Sequence, residues 1–138
     1  MGSRRKSREY ALQLLFQSDF LETAGEDDLF WIGRSNDEKT REFARVLYRS
    51  YIDNQESIDR LIQRHSKHWR IERMATVDRN ILRMAISEFL VSSTPCAVVI
   101  NEAIEIAREY SGEESTEFVN GVLDAVMGEL NQEELLNG

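Results

Sequence analysis

Apolar residues recur every three or four positions along most of this chain, the spacing expected of helices with one buried face. The fullest pattern lies between Val98 and Val126, VVINEAIEIAREYSGEESTEFVNGVLDAV. Its first half sets Val99, Ile100, Ala103, Ile104, Ile106, Ala107 and Tyr110 around most of a helix circumference. A narrow polar stripe is left at Asn101, Glu102, Glu105, Arg108 and Glu109. A surface helix shows a narrower apolar face, so this one is expected at the centre of a bundle, wrapped by the others. Gly112 supplies the left-handed residue that commonly ends a helix. Ser115 or Thr116 can cap the next helix, which buries Val119, Val122, Leu123, Val126 and Leu130. Gly121 and Gly128 lie on its other face. An interior helix Gly costs about 1 kcal/mol against Ala, so Gly121 suggests a place where something approaches the backbone closely.

The same spacing predicts helices over 3–21, 37–52, 55–67 and 77–91. The first carries a stripe of Ala11, Leu14, Leu15 and Ser18, with Leu12 and Phe16 beside it. The second, capped by Asn36 or Asp37, turns Phe43, Val46, Leu47 and Tyr51 inward. The third packs Ile58, Leu61, Ile62 and His65. The fourth follows a capping signal at Thr76 and buries Ile81, Leu82, Ala85, Ile86 and Phe89. Its exposed stripe is read as Arg79, Asn80, Arg83, Ser87 and Glu88. Residues 22–36 read as a connection with a short helical or irregular core, where Phe30, Trp31 and Ile32 cover the edge of the bundle. Thr94-Pro95 breaks the chain before the central helix. The acidic tail, 131–138, is expected to fray.

One Pro in 138 residues and no alternating pattern with regular turns make the fold class all-α, a single domain large enough to bury a core. The single cysteine, Cys96, rules out an internal disulfide and suits a reducing cytoplasm. No apolar run approaches the ~20 residues of a bilayer span, and no signal core follows the basic start. There is no Gly-rich phosphate loop, no nucleophile elbow and no Ser-His-Asp arrangement, so catalysis is not expected. Glu102, Glu105 and Glu109 share a face but read as a solvated stripe. His65 and His68 are close enough to share a metal. No third ligand stands near, and Arg64, Lys67 and Arg70 crowd the position, so neither a metal nor a cofactor is expected.

A net charge of −8 argues against nucleic acid, but its distribution changes the picture. Within residues 1–18, Arg4, Arg5, Lys6 and Arg8 face Glu9 alone, a net of +3. Within residues 101–138, Arg108 stands against ten acids, a net of −9. Three of the N-terminal cations fall in the first helical turn, where the helix pole is already positive and each costs a few tenths of a kcal/mol. One reading is a frayed, solvated start. The other is a phosphate grip, in which guanidinium forks and unsatisfied helix N–H groups face one anionic strand. Asp78, in the first turn of its helix, is accounted for by the same dipole.

Three stretches resemble the NusB family of bacterial transcription antitermination factors: RRKSREYALQLLF at the start, VDRNILRMAISEFL in the middle, and VINEAIEIAREYSGEESTEFVNGVLD. Residues 22–70 are similar only in helical pattern. The resemblance implies an all-helical bundle of two small subdomains, 1–70 and 71–138, with about six to seven helices and no catalysis. It implies binding of single-stranded boxA RNA from ribosomal RNA leaders together with NusE, a small-subunit ribosomal protein. It further implies loading onto elongating RNA polymerase with other Nus factors, promoting ribosomal RNA synthesis. Matched by position, Arg4, Arg5, Lys6 and Arg8 fall on the family's RNA-contacting cluster. Phe118 falls on an aromatic near the RNA path, where it either stacks on a base or only packs the helix start. Phe16, Glu72 and Asp78 fall on the NusE-binding face. Phe16 lacks the hydroxyl of the Tyr often found there, and Asp78 is shorter than the frequent Glu. The alternative is an interaction module acting as a homodimer, its basic N-terminus masked by its twin.

Overall fold

The computed structural model describes residues 2–21 and 28–137; positions 22–27 of the predicted connection lie outside the described residues. Among the described residues there are seven α-helices and no strand. They are α1 (Gly2–Leu21), α2 (Asp28–Trp31), α3 (Glu38–Asp53), α4 (Gln55–His65), α5 (Thr76–Val91), α6 (Cys96–Tyr110) and α7 (Glu113–Asn137). A 3-10 turn, Ile71–Arg73, joins α4 to α5. The all-α expectation holds, and the bounds of the five long helices before α7 lie close to those the apolar spacing predicts.

Local chemistry sets several of these ends. Asp37 caps α3, accepting from the Thr40 N–H at 3.2 Å. Gly112 takes φ +127°, and α6 closes as Ser111 N–H and Gly112 N–H both donate to Ala107 O. Other expected caps are not used. Thr76 is the first residue of α5 rather than its cap, which is Ala75, without a side-chain bond. α7 starts at Glu113, ahead of both Ser115 and Thr116; Thr116 Oγ1 donates back to Glu113 O at 2.6 Å. α7 also stays helical through the acidic tail to Asn137 instead of fraying. Phe30 and Trp31 of α2 are buried, with Trp31 edge-on to Tyr10 at 5.5 Å between centroids, whereas Ile32 points to solvent.

The helix at the centre is α5, not α6. α5 packs against α1, α3, α4, α6 and α7. Asp78 and every residue from Asn80 to Glu88 are buried. α6 buries one face only, at Val99, Ile100, Ala103, Ile106 and Ala107, and leaves Val98 and Tyr110 exposed. The stripe on α5 expected to face water is inside the protein: Asn80, Arg83, Ser87 and Glu88 are all buried, and Arg79 is half-buried. It stays inside because every charge on it finds an opposite charge on a neighbouring helix, which a buried ion requires. Ala11, Leu14, Leu15, Leu47, Ile58, Ile62, Ile81, Ile86, Ile106, Leu123 and Val126 form one continuous core around it.

Gly121 and Gly128 stand where an added Cβ would meet nothing within 4 Å, so no other part of the described chain makes the close approach expected at Gly121. Gly128→Ala is therefore expected to stabilise the fold by roughly 0.5–1 kcal/mol through helix propensity. In a chain of this size that is a rise in Tm of about 2–5 °C by calorimetry, and no rise would show that the position is strained.

Candidate nucleic-acid interface

α1 carries the N-terminal cations, and its packing divides them. Arg8 is buried, its side chain only 5% exposed. Its Nε and Nη2 donate to Glu88 Oε1 and Oε2, both at 2.7 Å, and its Nη1 reaches Glu102 Oε1 at 3.4 Å. Glu88 itself has no exposed side-chain surface. Arg8 therefore leaves the set of cations available to a ligand and becomes a bolt between α1, α5 and α6. Arg5 is half-buried and makes a fork with Glu102, Nε–Oε1 at 2.8 Å and Nη2–Oε2 at 3.0 Å. Glu102 is thus not part of a solvated stripe but the anchor of two arginines. Arg4 and Lys6 remain exposed. Arg4 lies over the Phe43 ring, Cζ 3.8 Å from its centroid, and Lys6 Nζ stands 3.6 Å from Glu9 Oε1.

A second ionic knot lies nearer the N-terminal end of α5. Arg79 donates to Asp19 through Nε at 3.0 Å and Nη2 at 2.7 Å. Asn80 Nδ2 donates to the same oxygen, and Arg83 forks onto Asp59, both bonds at 3.0 Å. Tyr51 OH also donates to Asp59. These bonds tie α1 and α4 to α5 beneath the surface that the second half of α1 presents.

Hydrogen bonds from Arg5, reinforced by the charges of Arg5 and Arg8, hold the Glu102 carboxyl below its usual range despite partial burial. Burial pushes Asp19 up, but bonds from Arg79 and Asn80 with the Arg83 charge outweigh it and leave Asp19 lowered. A carboxyl lowered by folding contributes stability that is present above its unfolded pKa, about 4, and lost as pH falls through the folded value. Tm should hold between pH 7 and 5 and fall below pH 4. Glu102→Gln should flatten that acid limb; an unchanged limb in the variant would remove Glu102 from the account.

The residues expected on a partner face are not all surface groups. Phe16 is 39% exposed and stacks on Phe20, itself 74% exposed, with centroids 6.4 Å apart and planes within 3°. With Leu12, Val77 and Tyr110 it lines a groove of about 290 Å³. Glu72 is exposed on the 3-10 turn. Asp78 is different: it is buried, and its oxygens accept from Ser111 Oγ at 2.6 Å and Ser115 Oγ at 3.1 Å. Its carboxylate ties the start of α5 to the α6–α7 turn, which is more than the dipole compensation read from its position.

Phe118 is half-buried against the core and lines two grooves, both shared with Trp69. From Asp78, beside Phe118, to Glu88, beside Arg8, α5 rises ten residues, about 15 Å. The arm and the aromatic therefore stand at opposite ends of the central helix. Trp69 is not among the residues the sequence singles out, although it stands in a basic run, RHSKHWRIER. His65, expected to pack inward, is half-buried and bonds Glu129 Oε1 through Nε2 at 2.7 Å.

Residues 5–128 match the NusB family profile. The chain is similar to the transcription antitermination protein NusB of Koribacter versatilis, 51% identical over 136 residues that span 96% of this chain and 93% of that one. It is 46% identical to the protein of that name from Solibacter usitatus, covering 94% and 92%. Among solved structures it superposes on T. maritima NusB with a TM-score of 0.78, at 39% identity and 89% coverage of each chain. It also superposes with a TM-score of 0.76, at 30% identity, on a structure of antitermination factors NusB and NusE in complex with double-stranded RNA; that match covers 91% of this chain and 96% of the other.

Proposed function

This chain belongs to the NusB family of transcription antitermination proteins, and from that premise we propose that it is a non-catalytic RNA-binding factor of the cytoplasm. It grips single-stranded boxA RNA of ribosomal RNA leaders, joins NusE, and travels with other Nus factors on elongating RNA polymerase to promote ribosomal RNA synthesis. The observation that supports this best is the division of labour along α1. Its first turns expose Arg4 and Lys6, and its second half exposes the stacked Phe16 and Phe20. Twelve residues, about 18 Å, separate Arg4 from Phe16, so one rigid rod offers an anionic strand a grip and a protein an apolar face.

Phosphates fix the register of the RNA on the cations and carry no sequence information. Preference for boxA comes from unpaired bases, whose edges a duplex would hide in its deep major groove. Two or three phosphate contacts give modest, salt-dependent affinity, which NusE raises by linkage. A three-component titration of the chain, NusE and boxA RNA at two salt concentrations tests this. Affinity that is independent of salt, equal for duplex and single strand, or unaffected by NusE would overturn it.

A homodimer is the second reading. Leu90, Val91 and Val98 are exposed apolar residues at the end of α5 and the start of α6, the same end of α5 that holds Arg8. Pairing through them would cover the basic arm. Light scattering with and without boxA RNA separates a standing dimer from a monomer ready for RNA.

A further inference from the structure

We propose that Arg34 is a carboxylate clamp beside the apolar face of α1, and that the protein segment seated on that face brings an Asp or Glu to it. The inference rests on the reading of Phe16 and Phe20 as a face for NusE. It adds a residue from the turn between α2 and α3, where the chain is similar to the family only in helical pattern.

Arg34 is exposed and yet firmly held. Gly33, at φ +77°, turns the chain after α2, and Arg34 N–H donates to Trp31 O at 3.0 Å. The Arg34 carbonyl accepts from Tyr10 OH at 2.7 Å. In the side chain, Nε donates to Gln13 Oε1 at 3.0 Å and Nη1 donates to Phe30 O. Cζ lies 4.1 Å from the centroid of the Phe30 ring, which is itself buried. Every one of these acceptors is neutral. Among the described residues no carboxylate pairs with Arg34 and Nη2 has no partner, in contrast to the forks of Arg5, Arg8 and Arg83. A guanidinium already fixed on a ring loses little freedom when an anion reaches it.

Arg34 lines the groove of about 290 Å³ whose floor is α1. By helical spacing Gln13 lies on the Arg34 side, Leu12 on the side of Val77 and Tyr110, and Glu9 and Phe16 between them. Among the described residues the charged groups of this groove are Arg34 and Glu9 alone. Glu9 does not neutralise Arg34: its side chain is only 10% exposed, and it stands 3.6 Å from Lys6 Nζ, one turn before Gln13. A nucleic-acid backbone needs a track of cations and finds one here, set against a carboxylate, so RNA is the poorer fit. A single Asp or Glu needs only one guanidinium fork. Leu12, Phe16, Val77 and Tyr110 offer apolar surface to the side chains around it, and covering them takes water away from the ion pair.

Titration calorimetry of NusE into the full chain, without RNA, tests the clamp. Arg34→Ala should weaken the pair about 10- to 30-fold, the range of an arginine anchor. Arg34→Lys should recover only part of that, because it keeps the charge and loses the fork. High salt should narrow the gap between parent and variants. Arg34→Lys also keeps an aliphatic stem over Phe30, so a weaker pair at an unchanged thermal melt carries the test even where the Ala variant melts early. Changing the Asp and Glu residues of NusE one at a time to Asn and Gln should find one whose loss has no further effect in Arg34→Ala. If Phe16→Ala weakens the pair while Arg34→Ala binds like the parent, the clamp is wrong and the docking face stands. If neither change matters, the reading of α1 as a protein face has failed. If no NusE carboxylate couples to Arg34, its effect is structural and the clamp is refuted. If Arg34→Ala spares NusE and weakens boxA RNA instead, the cation serves the strand and the proposal is overturned.

Discussion

Glu88→Ala will lower the unfolding free energy by about 3–5 kcal/mol, a large part of the 5–15 kcal/mol that holds a domain together. Glu88 has no exposed side-chain surface, and both its oxygens accept from Arg8 at 2.7 Å. Truncation leaves the Arg8 guanidinium buried, with only a 3.4 Å approach to Glu102, which is already engaged by Arg5. The penalty is that of a desolvated charge without its partner rather than the worth of the pair. The double change Arg8→Met/Glu88→Leu is therefore expected to restore most of the loss, because it removes both charges and keeps the volume. Chemical denaturation of parent, single and double variants checks this. A single variant within 1 kcal/mol of the parent would show that the Arg8 end of α1 opens readily to water. Loss of RNA binding in Arg8→Ala would in consequence report on folding before it reported on contact.

The charges explain what the sequence could and could not convey. Apolar spacing located α1, α3, α4, α5 and α6 well, because a buried stripe leaves its period in the chain whatever covers it. It misjudged which helix lies at the centre. The positions Arg79, Asn80, Arg83, Ser87 and Glu88 have the same period whether they face water or face Asp19, Asp59 and Arg8, which lie 60, 24 and 80 residues away in sequence. Polarity alone reads as exposure; only the partners decide. A trace of the answer was present. The excess of cations in 1–18 and of acids in 101–138 was taken as a cue for an anionic ligand, and part of it is Arg5 and Arg8 answering Glu102 within the fold. The caps were legible at Asp37, where the turn is local. They were not legible at Ser115, whose hydroxyl serves the distant Asp78. The family stretches indicated the function, and the geometry sorted the residues they nominated: Arg4, Lys6, Phe16 and Glu72 stand on the surface, whereas Arg8 and Asp78 lie inside.

That sorting sets the second large effect. Arg4→Ala/Lys6→Ala is expected to weaken boxA binding about 25-fold at 0.1 M salt and to leave the fold intact. Each phosphate contact on a single strand contributes about 0.7 to the slope of log K against log salt, so two contacts are worth roughly 1.4 decades between 0.1 and 1 M. The difference between parent and variant should accordingly shrink toward nothing at 1 M, where a lost base contact would persist. Folding is spared because both side chains are exposed; Arg4 gives up a cation–π contact with Phe43 and Lys6 a long pairing with Glu9, each worth at most about 1 kcal/mol. Arg5→Ala added to these should cost less than a third equal step. To grip a phosphate Arg5 must first leave Glu102, whose fork holds it at 2.8 and 3.0 Å, so part of its gain on binding is offset by the bond it breaks. Glu102→Gln, which weakens that hold, should move the other way and tighten RNA binding while softening the fold. If Arg5→Ala proves the most damaging of the three, the Arg5–Glu102 fork stays closed in the complex and the strand reads Arg5 in place.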